Sequence, residues 1–158
     1  MRVLDAACGI GYGGQLLWQA WGDVDAADIS MDAIATARCF YPGPRYCRLD
    51  LENIATAKLN YDLVVSLETI EHLKHPERFL EKVRGRLICS VPNEERYPFD
   101  AAVFANDEYP HQRHYTPEQF DALLSGCGIQ VNERWCQKDR NSGVVVPGTD
   151  GEFLIYVG

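Results

Sequence analysis

Long apolar runs are missing from this chain. The longest unbroken ones span a few residues, far short of the roughly 20 that a membrane-crossing helix needs, so no membrane partner is expected. The N-terminus lacks a basic segment followed by an apolar stretch; no secretory leader is read there, and a cytoplasmic location is expected. Cysteine pairs at metal or redox spacing are also absent. Cys8, Cys39, Cys47, Cys89, Cys127 and Cys136 form no C-x-x-C, and most sit inside apolar runs, where a reduced thiol packs as a small hydrophobe. Positive charge is scarce, with 15 Lys and Arg against 23 Asp and Glu and a formal net charge of -8. That excludes wrapping duplex DNA, which needs clustered cations to neutralise phosphates. What is present is ordinary: 158 residues, 46% hydrophobic and 24% charged, expected to form one domain over 1–158.

The most informative stretch is Val3-Leu4-Asp5-Ala6-Ala7-Cys8-Gly9-Ile10-Gly11-Tyr12-Gly13-Gly14. An apolar run containing an acid breaks into glycine, which reads as a buried parallel strand, a tight loop, and a helix starting near Gly13. Gly9, Gly11 and Gly14 spell G-x-G-x-x-G, and Asp28 follows at about the distance dinucleotide binding requires. A buried anion at Asp5 would repel a pyrophosphate, however, and suits a cationic ligand. Val-Leu-Asp-x-x-Cys-Gly-x-Gly-x-Gly resembles the first motif of class I S-adenosylmethionine-dependent methyltransferases, whose cofactor carries a sulfonium and an ammonium. Where that pattern begins its glycines, this chain has Ala7, and it starts directly on the first strand. The helices that precede this strand in the family are therefore expected to be missing. A homo-oligomer or a partner covering the exposed face is the corresponding expectation.

Further along, strand and helix signals alternate. Val24 to Ile29 reads as a second strand, Ser30 as the cap of a helix stopped by Tyr41-Pro42-Gly43-Pro44, and Arg45 to Leu49 as a third strand. Tyr61 to Leu67 gives a fourth strand, and Pro76 opens a short helix ended by Gly85. Arg86 to Val91 gives a fifth strand, closed by Pro92-Asn93. Thr116-Pro117-Glu118-Gln119 is a capping box for a helix stopped at Gly126, and Ile129 to Gln137 and Glu152 to Val157 are terminal strands, with Val144-Val145-Val146 a short extra one. The expected class is a doubly wound α/β domain. By resemblance it is the Rossmann-like methyltransferase fold, a seven-stranded mixed sheet in the order 3-2-1-4-5-7-6.

In such a sheet, ligands bind outside the carboxyl ends of the strands. The resemblance implies a cofactor site of Asp5, Ala7, Gly9, Gly11, Asp28, Ile29, Asp50, Leu51 and Leu67. Asp28 would take the ribose hydroxyls, Asp50 the adenine amine, and Leu51 the ring face. After the fourth strand, Glu68-Thr69-Ile70-Glu71-His72-Leu73 would place Glu68, Glu71 and His72 on one face if it turned helically. Glu-x-x-Glu-His resembles the ubiquinone-type O-methyltransferases and the enzymes that methylate the 2′-hydroxyl at RNA 3′ ends. The latter resemblance implies a metal held by Glu68, Glu71, His72 and a later histidine, and oxygen and imidazole ligands suit Mg or Mn.

No periodic pattern appears from Pro92 to Tyr115, but aromatics alternate with Arg96, His111, Arg113 and His114, a mix expected of a substrate lid. His114 is the first candidate for fourth ligand or general base and His111 the second, with His72 sharing the catalytic task. Three functions follow: O-methylation of a small-molecule hydroxyl, 2′-O-methylation of an RNA 3′ end, and a non-catalytic cofactor-binding module. A nicotinamide-dependent oxidoreductase rests on the glycine spacing alone.

Overall fold

The computed structural model describes residues 1–54 and 59–158. One mixed sheet runs through it. The first unit is β1 (Val3–Ala6), wholly buried, followed by α1 (Tyr12–Trp21), with Gly11 as N-cap at φ 90° and Gly22 closing the helix through its N–H to the Trp18 carbonyl. The expected alternation then appears as β2 (Val24–Asp28), α2 (Met31–Phe40) and β3 (Arg45–Arg48). The Ser30 side chain caps α2 by accepting from the Ala33 N–H. β4 (Leu63–Leu67), α3 (Pro76–Leu80) and β5 (Arg86–Pro92) complete the parallel part of the sheet. Next come a single helical turn α4 (Ala101–Phe104), α5 (Pro117–Gly126), β6 (Glu133–Gln137), β7 (Val145–Pro147) and β8 (Phe153–Val157). Both bonds of the capping box are made: Thr116 Oγ1 accepts from the Gln119 N–H, and Gln119 Oε1 from the Thr116 N–H.

The sheet has eight strands in the order β3-β2-β1-β4-β5-β8-β6-β7. The last long strand inserts antiparallel between β5 and β6, as the family order requires. The expected count of seven is corrected by β7, which pairs with β6 alone because the segment after Gln137 doubles back. In that turn the Lys138 N–H donates to the Val144 carbonyl, and Gly148, just after β7, sits at φ 111°. The loop expected from Pro92 to Tyr115 contains α4, whose cap Asp100 accepts from the Ala102 N–H. A single helical turn is too short to leave a periodic signal in the sequence.

The main core lies on the side of α3 and α5. Phe79, Phe120, Tyr156, Leu4, Ile70 and Leu154 pack there with almost no exposure. A smaller cluster of Val3, Val24, Leu63 and Val65 sits under Leu17 of α1. Beyond α1 this second face continues as Leu67, Ile155 and Trp135, cross-strand neighbours that stay exposed or half-buried.

Among the described residues, only Ala7 (φ 64°) and Glu68 (φ 49°) adopt left-handed backbone without being glycine. A left-handed alanine costs about 1–2 kcal/mol, offset in part by glycine's greater unfolded-state freedom of about 0.4–1 kcal/mol. Ala7→Gly is therefore expected to raise stability by about 1 kcal/mol. Urea unfolding checks this; a lower midpoint at unchanged slope would contradict it.

Candidate active site

The glycine loop is tied to the end of β2. The Gly9 N–H donates to Asp28 Oδ2 at 2.8 Å, the Ser30 N–H to Asp28 Oδ1 at 2.8 Å, and the Cys8 N–H to the Ala27 carbonyl at 2.9 Å. The Asp28 carboxylate thus fixes the loop while facing a cavity of about 930 Å³. Ala7, Asp28, Ile29, Asp50 and Leu51 of the expected cofactor set line this cavity, with Glu68 and His72 at its other end. Asp5, Gly9, Gly11 and Leu67 lie outside that lining.

Each of these four has a local reason. A Cβ on Gly11 would lie 2.6 Å from the Ala37 Cβ and 2.7 Å from the Tyr46 hydroxyl, so the close approach of α2 and β3 demands this glycine. A Cβ on Gly9 would meet nothing within 4 Å, which leaves the loop surface open to a ligand. Asp5 is buried with Oδ2 unpartnered, and burial, with Asp28 adding to it, raises its carboxyl to about 6. A Cβ on Gly14 would stand 3.0 Å from that oxygen. Leu67 opens instead into a smaller cavity with Ser90, Phe153 and Ile155.

Asp50 accepts from the N–H groups of Glu52 and Asn53 and from the Asn53 amide at 2.9 Å, which holds its carboxyl below the usual range. It is at once a turn cap and part of the cavity wall. A nucleoside-type ligand fits this lining: Asp28 and Asp50 present carboxylates to hydroxyls or an amine, and Ile29 and Leu51 present apolar surface. The unpartnered Asp5 oxygen beside the loop suits a cationic group.

At the end of β4 the chain makes a 3-10 turn, Ile70–His72, rather than an α-helical one. Ile70 anchors it in the core, which directs Glu71 inward with no side-chain exposure. Neither Glu71 carboxyl oxygen has a hydrogen-bond partner. Glu68 stands apart, its Oε1 accepting from the Ser90 hydroxyl at 2.7 Å while its N–H donates to Ser90 Oγ at 3.0 Å. Burial raises both carboxyls, and the Glu68 charge raises Glu71 further.

Ligand atoms of Glu71, His72 and His111 all lie within 4.8 Å of one another, with His72 Nε2 3.9 Å from Glu71 Oε1. The lid brings His111 there: Phe104 stacks on its ring at 4.0 Å, and the neighbouring Gln112 N–H donates to the Glu71 carbonyl at 2.8 Å. Burial and the nearby His72 and His114 lower His111 to about 4. His114 is not in this group. Its Nδ1 lies 2.6 Å from the Tyr97 carbonyl and its Nε2 2.9 Å from His111 Nδ1. His72 Nδ1 likewise lies 2.7 Å from the Tyr109 carbonyl. Sequence reasoning counted Phe104 among the lid aromatics but did not name Ser90 or these two carbonyls as parts of the site; carbonyl acceptors have no side-chain signature.

A carboxyl whose folded pKa is raised holds its proton in the native state after the unfolded chain has lost it. Stability then falls as pH rises from about 4.5, the ordinary value, through the raised native value. In metal-free protein, Glu71→Gln should match the wild type near pH 4 and become the more stable of the two by pH 8. Thermal unfolding across that range checks this, and parallel curves would contradict it.

The first half of the chain, residues 4–88, matches the family model described as a methyltransferase domain. A probable S-adenosylmethionine-dependent methyltransferase of Mycobacterium tuberculosis (strain CDC 1551 / Oshkosh) is 29% identical over 133 residues, 80% of this chain and 48% of that protein. A ubiquinone biosynthesis O-methyltransferase of Sinorhizobium fredii (strain NBRC 101917 / NGR234) is 26% identical over 153 residues, covering 85% and 62%. The chain thus spans about half to three fifths of the length of these relatives. Among solved structures, a TehB-like methyltransferase from Corynebacterium glutamicum superposes with TM-score 0.71 at 22% identity, covering 99% of this chain and 78% of that one. One from Mesorhizobium loti gives 0.73 at 16%, covering 99% and 89%. No helix among the described residues is long and apolar enough to cross a membrane. The glycine loop strapped to Asp28, the strand order and the matched family model leave no place for the dinucleotide reading: the chain belongs to the methyltransferase domain family, with the class I S-adenosylmethionine-dependent fold.

Proposed function

We propose that this domain transfers a methyl group from S-adenosylmethionine to a hydroxyl of a small-molecule acceptor, and that Glu71, His72 and His111 hold a divalent cation beside the acceptor. The observation that carries the reading is the buried Glu71 carboxyl, both oxygens unpartnered, beside the imidazoles of His72 and His111, of which His72 lines the cofactor cavity. A buried carboxylate without a partner is costly, and a cation would satisfy it. One carboxylate and two imidazoles suit Mg or Mn among other divalent ions. Relatives named ubiquinone biosynthesis O-methyltransferases support oxygen as the nucleophile.

The cofactor, when bound, supplies an electrophilic methyl on a sulfonium that loses its charge as the methyl leaves; the cation lowers the pKa of the acceptor hydroxyl. The protein's own contribution is placement and dryness. Asp28 and Asp50 would orient the nucleoside while Ile29 and Leu51 would pack on its ring. Burial raises the Asp5 carboxyl to about 6, and a positive charge beside the loop would favour its ionised form. Glu68, held by Ser90, lines both the large cavity and the smaller one, so it stands between the methyl-donor end and the space beside Leu67. Tyr109, Pro110 and Gln112 of the lid form part of the wall of the large cavity. His72 and His111 would give their Nε2 lone pairs to the cation, so the proton of the acidified hydroxyl would pass to solvent.

A second reading, 2′-O-methylation of an RNA 3′ end, is favoured by Lys74, His75 and Arg78, basic side chains lining the same cavity in a chain of net charge -8. They could meet a terminal phosphate.

S-adenosylhomocysteine at 100 times its Kd is expected to stabilise the protein by about 2.7 kcal/mol, and NAD by nothing; a shift with NAD alone would refute the cofactor. Methyl transfer to catechol-type hydroxyls should fall on chelation, recover with Mn, and not recover in Glu71→Ala. Turnover indifferent to chelator removes the cation, and turnover confined to RNA oligonucleotides selects the second reading.

A further inference from the structure

The three histidines at the lid are joined in a fixed sequence of donors and acceptors. The Tyr97 carbonyl can only accept, so the His114 Nδ1 facing it at 2.6 Å carries the proton. In neutral His114, Nε2 is then a lone pair, and the 2.9 Å contact to His111 Nδ1 requires that His111 donate from Nδ1. His111 is left with its lone pair on Nε2. The Tyr109 carbonyl at 2.7 Å imposes the same choice on His72, whose Nε2 stands 3.9 Å from the unpartnered Glu71 Oε1. Two lid carbonyls thereby set the tautomers of both imidazoles that approach Glu71.

We propose that His114 is a positioning residue for the cation site: buried and tethered to the Tyr97 carbonyl, it accepts the Nδ1 proton of His111 and so presents the His111 Nε2 lone pair to Glu71 and His72. This rests on the cation reading given above and goes beyond it, because it removes His114 from the ligands and makes residues 97–115 the outer support of the site. The surroundings agree with a support role. His114 has no side-chain exposure, and the rings of Tyr97, Phe99 and Phe104 surround it at 4.8, 5.4 and 5.6 Å. Both of its nitrogens are already used within the protein. His111 has one nitrogen used in this way and one left over. Outer partners that orient a metal-binding imidazole change affinity by about 10–100-fold when removed.

The test compares His114→Ala with His114→Gln, because a glutamine amide both donates and accepts and can replace both bonds, whereas alanine replaces neither. In metal-free, ¹⁵N-labelled protein, long-range ¹H–¹⁵N correlation spectra should show His111 protonated at Nδ1 in the wild type and in His114→Gln. In His114→Ala it should shift toward the Nε2-protonated form. Mn(II) titration followed by electron paramagnetic resonance should show affinity reduced about 10–100-fold in His114→Ala and close to wild type in His114→Gln. Circular dichroism and the thermal midpoint establish that each variant is folded.

An unchanged His111 tautomer in a folded His114→Ala overturns the proposal. So does equal loss of Mn(II) affinity in both variants, which would make His114 a ligand. Wild-type protein that fails to bind Mn(II) refutes the cation reading itself, and the tautomer measurement, which needs no metal, still decides whether His114 orients His111.

Discussion

The rim of this domain is built around one carboxyl group that has been taken out of water and given nothing to bind. Burying a carboxylate without a partner costs several kcal/mol, and Glu71, with no side-chain exposure, has no hydrogen-bond partner on either carboxyl oxygen. Its place follows from the sheet. β4 ends at Leu67, Ile70 locks the following turn into the core, and the tight 3-10 geometry leaves Glu71 pointing inward. The lid is then tied to the same residue by the bond from the Gln112 N–H to the Glu71 carbonyl. One residue therefore connects the central sheet, the turn and the lid. The free energy lost in burying it is recovered only if something positive, a proton or a cation, comes to it.

Glu68 shows that the burial of two acids in one place is not a general acidity of the rim. Its carboxyl is answered by the Ser90 hydroxyl of the neighbouring strand, and its backbone N–H reaches the same oxygen. Asp28 is answered by two backbone N–H groups and Asp50 by three donors. The acids of the cofactor end are thus structural and ligand-facing at once, and Asp5 and Glu71 are the ones with oxygens left over. One lies beside the glycine loop and the other beside the imidazoles of His72 and His111.

Much of this was legible in the chain. Alternating apolar runs and turn residues gave the parallel strands to within a residue or two, and Ser30 and Thr116 marked helix starts because a short side-chain oxygen can accept from the first-turn N–H groups. The carboxyl-end rule placed Asp28, Asp50 and the Glu68 to His72 block on one rim. β7 and α4 were less legible because three or four residues carry no usable period. Glu68, Glu71 and His72 were read as one helical face, but Glu68 lies before the 3-10 turn of Ile70–His72 and takes left-handed backbone at φ 49°, which sends its carboxyl to Ser90 instead. The relation of His111 to His114 was closed to sequence reasoning for a different reason. In irregular backbone, three residues of separation do not fix which side chain faces inward, and the deciding contacts are the carbonyls of Tyr97 and Tyr109.

Backbone strain separates the two ends of the site in the same way. Ala7 and Glu68 both follow the last residue of a central parallel strand, β1 and β4, and both take left-handed φ. At such a point the chain must leave the sheet abruptly to form a rim, and strained residues collect where a site has to be built. At Ala7 glycine would take the same backbone at lower cost, and what the methyl adds is a contact with the main core and a place in the cavity wall. At Glu68 the side chain is committed to Ser90 and stands between the two cavities. Glycine there would relax the backbone but remove the carboxyl that Ser90 holds. The strain at Glu68 thus comes with a side chain that is hydrogen-bonded and lines both cavities, and the strain at Ala7 with a methyl packed on the core.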